Sequence, residues 1–296
     1  MRILLPQPPL FSFSECRWFL DRGYDECLHR FEGDTIVKTV RIDGAPLVFA
    51  MRSQGKHLVI EILHGAPGAK TREQLRSWIS GWLDLGRNLQ PFYAQLKAHP
   101  RLAWMAKDFR GLRLIGIPDL YESLCWSIIG QQINLAFAYK LKRRFVENYG
   151  ESIRVNGTRH LIFPLPERVM RARVEDLQQL QFSRQKIEYL INVSRLIHEG
   201  RLSKARLEAL PTAEEKHQFL TGIKGIGTWT ANYTLMKTLN DTSAIPHGDA
   251  GLLNALLKHK LIKDKKDKAG IEKTFRHFKG WEAYLTFYLW RSLAVK

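Results

Sequence analysis

Hydrophobic positions along this chain follow two different periods. Between residues 35 and 63 three β-rich runs, TIVKTVRI, APLVFAM and HLVIEIL, are separated by Asp43-Gly44 and Gln54-Gly55. Short runs parted by glycine-containing turns predict an antiparallel meander. At Thr71 the period lengthens. Thr71 and Gln74 make a capping-box pattern, and Leu75, Trp78, Ile79, Trp82 and Leu83 recur at i, i+3, i+4, i+7 and i+8, which predicts an amphipathic helix over one face of that sheet. Beyond Pro118, Leu124, Ile128, Ile129, Leu135, Tyr139, Leu141 and Phe145 keep helical spacing while β-branched clusters thin out. The second part is therefore expected to be nearly all helical. Asp119 with Glu122 predicts an N-terminal cap, Pro164 and Pro166 interrupt the chain, and further helices are expected over 166–180, 184–198, 212–220 and 228–239. Composition shifts near residues 108–117, at GLRLIGIP, so the expected domains are 1–112 and 113–296.

Composition narrows the partners. With 296 residues and 45% hydrophobic content the chain can bury a sizeable core in one large or two ordinary domains. Lys and Arg number 46 against 29 Asp and Glu, a net charge of +17 that favours a polyanion over a small neutral ligand. Aromatic content of 11% excludes a disordered basic tail as the whole chain. The three cysteines, Cys16, Cys27 and Cys125, form no C-x-x-C pair, which disfavours a disulfide scaffold, a zinc finger and a four-cysteine iron–sulfur cluster. Prolines interrupt the apolar start MRILLPQPPLFSF, so it does not read as a signal peptide, and no run approaches a membrane span. A cytoplasmic protein is expected, nucleoid-associated if bacterial.

The most informative segment is QFLTGIKGIGTWTAN, residues 218–232, where Gly222, Gly225 and Gly227 lie between two helical patterns. Without side chains at Gly225 and Gly227, backbone N–H groups at the head of the next helix can reach a phosphate. A Rossmann reading would need a strand before the glycines, and a Walker A reading a Gly-Lys-Ser/Thr after them; neither is present. Glycines alone would point first to a plain turn between packed helices. Here a loop with Pro246 and Gly248 leads, about twenty residues on, to Asp249. Asp249 directly precedes AGLLNALLK and suits a helix N-cap, a role compatible with catalysis.

Hairpin and aspartate together resemble the helix-hairpin-helix DNA glycosylase superfamily, most closely its alkylation-repair branch, 3-methyladenine DNA glycosylase II. QPP at 7–9, SIIGQQINLAFAYKL at 127–141, FPLPERV at 163–169, GIGTWTANY at 225–233 and GWEAYLTFYLWRS at 280–292 carry the resemblance over nearly the whole chain. It implies an α+β protein: an N-terminal antiparallel-sheet α/β domain resembling half of the TATA-binding protein, then an all-helical helix-hairpin-helix domain. It implies Asp249 as the catalytic carboxylate, stabilising the oxocarbenium-like sugar formed when an N-glycosidic bond breaks. Lyases of this superfamily carry a lysine just after the hairpin. This chain has Trp229 there, and indole cannot form an imine, so a monofunctional, water-using enzyme is implied. Lys224, at the place of a hairpin proline, is read as a phosphate contact beside Gly222, Gly225, Gly227 and Thr228.

The same resemblance suggests a base pocket of Tyr233, Trp281 and Trp229, with Trp18 or Phe19 added. Purines methylated at N3 or N7 are cationic and suit aromatic faces. Ala250 stands where the family carries an aromatic, which bears on pocket size. Flipping the base leaves a gap, and Gln132, with Gln131 beside it, sits at the family's wedge position. No cofactor is required; a Na⁺ or K⁺ on the carbonyls of Thr221, Ile223 and Ile226 is the expected structural ion. The partner implied is duplex DNA containing damaged bases, bound by a monomer, with no membrane. Residues 258–279 hold nine Lys or Arg against Asp264, Asp267 and Glu272, either a solvated face or a phosphate surface. Arg143, Arg144, Arg171, Arg173, Arg184 and Lys186 carry the same ambiguity. Alternatives are a glycosylase for oxidised or deaminated purines, a lyase using Lys224, and a non-catalytic DNA-binding module.

Overall fold

The alternation read at 35–63 builds the centre of a five-stranded antiparallel sheet in the computed structural model, which describes residues 1–294. Its strands are β1 (Arg2–Pro6), β2 (His29–Glu32), β3 (Thr35–Ile42), β4 (Ala45–Gln54) and β5 (His57–His64), ordered β1-β5-β4-β3-β2, with helix α1 (Phe13–Leu20) between β1 and β2. The meander pairs β3 with β4 around Asp43-Gly44, as expected, and β4 with β5 around Gly55-Lys56, one residue beyond the expected Gln54-Gly55 because Gln54 still pairs with His57. The pattern did not reveal the two edge strands. β1 ends on Pro6, and β2 is only four residues long and largely polar; both are features that edges tolerate.

Helices then follow: α2 (Ala69–Trp82), α3 (Gln90–Ala98), α4 (Met105–Asp108), α5 (Leu120–Gly130) and α6 (Leu135–Tyr149). The Asp119 carboxylate accepts the Glu122 N–H at 2.8 Å and caps α5, as the sequence predicts. A hairpin comes next, β6 (Glu151–Val155) with β7 (Thr158–Ile162), where an all-helical part was expected. Its turn is Asn156-Gly157, both at positive φ, the conformation a two-residue hairpin turn requires. The remaining helices are α7 (Pro166–Val169), α8 (Val174–Gln179), α9 (Arg184–His198), α10 (Lys204–Glu208), α11 (Ala213–Thr221), α12 (Thr228–Thr238), α13 (Ala250–Lys258), α14 (Lys268–His277) and α15 (Glu282–Ser292). The single helix expected over 166–180 is split into α7 and α8 because Arg173 takes extended backbone between them. None of the helices among the described residues is long and apolar enough to cross a membrane.

The chain divides into two compact units that interleave in sequence: Met1–Gln7, Asp21–Ser80 and Asp119–Ala209 in one; Pro8–Leu20, Gly81–Pro118 and Leu210–Lys296 in the other. These differ from a single cut between 112 and 113, and the packing of the sheet supplies the reason. Phe49 and the Lys38 ammonium lie against Trp78 of α2 on one face. On the other face Val37, Val48 and Ala50 pack against Ile153 and Val155 of β6, and Leu28 packs with Val146 and Leu161. The sheet thus takes cover from residues far beyond 119. Deeper in this unit Lys142 Nζ lies 3.1 Å from Glu26 and 3.4 Å from Glu122. Burial alone would lower the Lys142 pKa, but the two carboxylates outweigh it and hold the ammonium above its ordinary range.

In the second unit the guanidinium of Arg113, fully buried, donates to the carbonyls of Pro9, Leu10, Asp84 and Arg87. A buried charge needs such satisfaction, and it fastens the 8–20 segment to the chain after α2. Phe92, Tyr284 and Tyr288 form the aromatic core around it, with Tyr284 Oη donating to Asp84 and Tyr93 and Tyr288 sharing a hydroxyl hydrogen bond of 2.8 Å.

Candidate active site

Helix α11 opens on a capping box, Thr212 with Glu215, and ends at Gly222; α12 begins at Thr228 with Gly227 as its N-cap. The residues between make the hairpin. Gly225 sits at φ +99, and the position of a Cβ on Gly227 is open space, so the N–H groups leading into α12 are reachable by a ligand as large as a phosphate. Lys224, Gly227 and Thr228 are exposed, and Gly222 is exposed at the end of α11. The carbonyls of Thr221, Ile223 and Ile226 are hard oxygen donors of the kind a monovalent cation takes. Ile223 O already accepts the Ile226 N–H at 3.0 Å, which leaves it a second lone pair.

The loop after α12 reaches Asp249 through a turn closed by the Asp249 N–H to Pro246 O, with Gly248 at φ +81 in its third position. That sign of φ is what a type II turn demands there. Asp249 is the N-cap of α13, and its Oδ1 accepts the Leu252 N–H at 2.7 Å. Two indoles complete its surroundings. Trp290 Nε1 donates to Oδ1 at 2.8 Å and Trp229 Nε1 donates to Oδ2 at 3.2 Å. A carboxylate oxygen offers about two lone-pair directions, so Oδ1 is filled and Oδ2 retains one. The half-buried carboxylate also faces the positive end of α13. The arrangement holds a negative charge fixed in orientation with one oxygen able to face a developing cation.

Aromatic rings extend from this carboxylate. Trp229 and Tyr233, four residues apart on α12, stack at 5.2 Å and 24°. Tyr233 meets Trp290 at 6.4 Å, Trp290 meets Phe287 at 6.2 Å, Phe287 meets Phe19 at 4.4 Å, and Phe19 meets Trp18 at 6.5 Å. The structure therefore joins Trp229, Tyr233, Phe19 and Trp18 in one run of rings. Trp281 is not part of it: its ring neighbours are Phe92 and Tyr284, in the aromatic core. The sequence reading missed Trp290, and also Gly251. A Cβ on Gly251 would lie 3.1 Å from Asp249 Oδ1 and 3.3 Å from Trp290 Nε1, so the bare backbone makes room for the indole beside the carboxylate. A glycine two residues into the helix behind Asp249 was the available signal.

Gln131 and Gln132 belong to the other unit, in the turn between α5 and α6. Gln131 is the C-cap of α5; Gln132 is exposed and held at φ +57, an uncommon conformation for a residue with a side chain. They end one helix rather than begin the next, which Asn134 caps.

Residues 125–280 match the family model described as HhH-GPD superfamily base excision DNA repair protein, and residues 29–124 match that of the 8-oxoguanine DNA glycosylase N-terminal domain. A Bacillus subtilis (strain 168) protein named DNA-3-methyladenine glycosylase is 38% identical over 98% of this chain and 97% of its own length. DNA-3-methyladenine glycosylase 2 of Escherichia coli (strain K12) is 28% identical over 61% of this chain and 60% of its own. Among solved structures, a 3-methyladenine DNA glycosylase from Archaeoglobus fulgidus superposes with a TM-score of 0.82 at 22% identity, covering 97% of both chains. An 8-oxoguanine glycosylase/lyase from Clostridium acetobutylicum bound to duplex DNA gives 0.78 at 17% identity, covering 100% of this chain and 99% of that one. At these identities the structural likeness is one of fold.

Proposed function

The chain belongs to the HhH-GPD superfamily of base excision DNA repair proteins, and on that premise we propose that it is a monofunctional DNA glycosylase that flips alkylated purines out of duplex DNA and hydrolyses their glycosidic bond. One observation carries the reading: the carboxylate of Asp249, just downstream of the hairpin, is fixed by two indole N–H groups and a helix amide at the edge of a run of aromatic rings. Breaking an N-glycosidic bond builds positive charge on the sugar, and a preorganised carboxylate stabilises that charge without having to reorient. The oxygen with capacity left, Oδ2, is the one suited to face the sugar or orient the attacking water. Purines alkylated at N3 or N7 are cationic, and the faces of Trp229, Tyr233 and Trp290 attract cations.

In this reading the hairpin amides near Gly225 and Gly227 hold a phosphate, and a Na⁺ or K⁺ on the Thr221, Ile223 and Ile226 carbonyls would add positive charge beneath it. Gln132, with Gln131 beside it, fills the space a flipped nucleotide leaves. Ala250, exposed at the start of α13, stands where an aromatic would narrow the pocket, and so bears on pocket size. The protein acts as a monomer on damaged duplex DNA. A second reading, excision of oxidised purines, has the N-terminal family match in its favour; those bases are neutral and gain less from aromatic faces. Incubating the protein with duplex DNA carrying methylated purines, and with duplex carrying 8-oxoguanine, then identifying the free bases, separates the two. Release of 8-oxoguanine alone overturns the first.

A further inference from the structure

Residues 258–279 carry nine Lys or Arg residues against three acids, a local excess of six positive charges. The structure spreads them over the end of α13, the connection after it and α14, and Lys260, Lys263, Lys265, Lys266, Lys268 and Lys273 are all exposed. Two of the three acids accept backbone N–H groups, and with all three counted the face still keeps its excess of six positive charges. Asp267 caps α14 by accepting the Gly270 N–H at 2.9 Å and also accepts the Lys263 N–H at 3.0 Å; Asp264 accepts the Lys266 N–H at 2.7 Å. None of these six lysines makes an ion pair within 4 Å among the described residues. A surface with so large an excess of one sign repels itself, and that repulsion is relieved by a polyanion.

We propose that this face is a second phosphate-binding surface for duplex DNA, separate from the hairpin and indifferent to damage. The proposal rests on the glycosylase reading above. Helix α13 fixes the distance: nine residues separate Asp249 from Lys258, about 13 Å of helix at 1.5 Å per residue. Lys258 and the lysines just after it therefore lie toward the far end of α13 from Asp249, placed for phosphates flanking the reacting nucleotide. They can contact the flank of the duplex in the site or a second duplex segment. Either way they add affinity for undamaged DNA and leave the chemical step alone.

The test is the full-length variant Lys263→Glu/Lys265→Glu/Lys266→Glu, whose backbone N–H groups still serve the caps. Its circular dichroism and melting should match wild type. Binding is measured on undamaged duplexes of about 10 and about 30 base pairs over a salt series, since each lost phosphate contact removes about 0.9 from the slope of log K against log salt. The long duplex should bind about tenfold to a hundredfold more weakly, with a slope flatter by about 2 to 3. Single-turnover base release at saturating protein should equal wild type. If only the long duplex loses affinity, the surface holds the flank; if both lose equally and wild type takes up two duplexes, it holds a second segment. Unchanged affinity and slope at both lengths overturn the proposal, even if the variant loses retention on polyglutamate, the behaviour expected of a face for an acidic protein. Gly227→Val, by contrast, should weaken binding at both lengths; wild-type protein that binds no duplex at all sinks the glycosylase reading together with this one.

Discussion

The indole of Trp290, at the end of α15, donates at 2.8 Å to the same carboxylate oxygen of Asp249 that caps α13. That oxygen is thereby turned inward, and the carboxylate's free capacity is left on Oδ2. Trp290→Phe keeps a ring in place and removes the donor. A hydrogen bond to a charged group is worth about 1.5 to 3 kcal/mol, so the single-turnover rate of base release should fall about tenfold to a hundredfold while the affinity for damaged duplex stays within a few-fold. Gly251→Ala should act in the same direction by pressing on both partners. An unchanged rate in Trp290→Phe would show that the indole only packs.

Asp249→Asn removes the negative charge and preserves shape and the acceptor for the Leu252 amide. Base release should drop about a hundredfold or more, with duplex binding retained or tightened. Excision near the wild-type rate would rule out Asp249 as the stabilising carboxylate.

Base release should leave an abasic site on an intact strand. The residue facing Asp249 from the start of α12 is Trp229, which donates a hydrogen bond and has no amine to offer. Borohydride added during turnover should trap no protein–DNA adduct. A trapped adduct that vanishes in Lys224→Ala would assign a lyase step to that exposed lysine.

Stability should depend on pH through Glu26 and Lys142. Burial alone would raise the Glu26 pKa, but Lys142, His29, Lys38 and the Leu28 amide outweigh it and hold the carboxyl well below the ordinary value of 4.5. A depressed folded pKa gives stability that is present above the unfolded-state value and is lost as the pH falls through the folded one. For Lys142, held above its ordinary 10.5, the contribution is present below that value and lost as the pH rises through the folded pKa. Glu26→Gln should therefore cost about 3 kcal/mol near neutral pH, the usual penalty for leaving half of a buried pair. Urea melts should show that deficit shrinking as the pH falls below 4.5 toward 3, where the unfolded chain takes up a proton that the folded carboxyl resists; an equal deficit at neutral pH and at pH 3 would mean the ion pair is not its source.

Signals carried within one or two turns of chain were legible in the sequence. The bounds of α9, the Asp119 cap, the meander turn at Asp43-Gly44, and the placement of Asp249 at a helix start after the hairpin all follow from neighbours a few residues apart. The β6–β7 hairpin was legible too, in Asn156-Gly157, but its strands ESIRV and TRHLI lack a clean alternation and were lost among helices. What the sequence by itself could not decide is which of eight tryptophans reaches the carboxylate. Trp281 and Trp290 flank the same helix nine residues apart, and at about 100° per residue that spacing puts them on opposite faces. Only the packing of α15 selects the face, turning Trp281 into the aromatic core with Phe92 and Trp290 toward Asp249, forty-one residues away in the chain. The interleaving of the two units has the same origin, since a sheet exposes two apolar faces and the residues that cover the second one lie wherever the chain next returns.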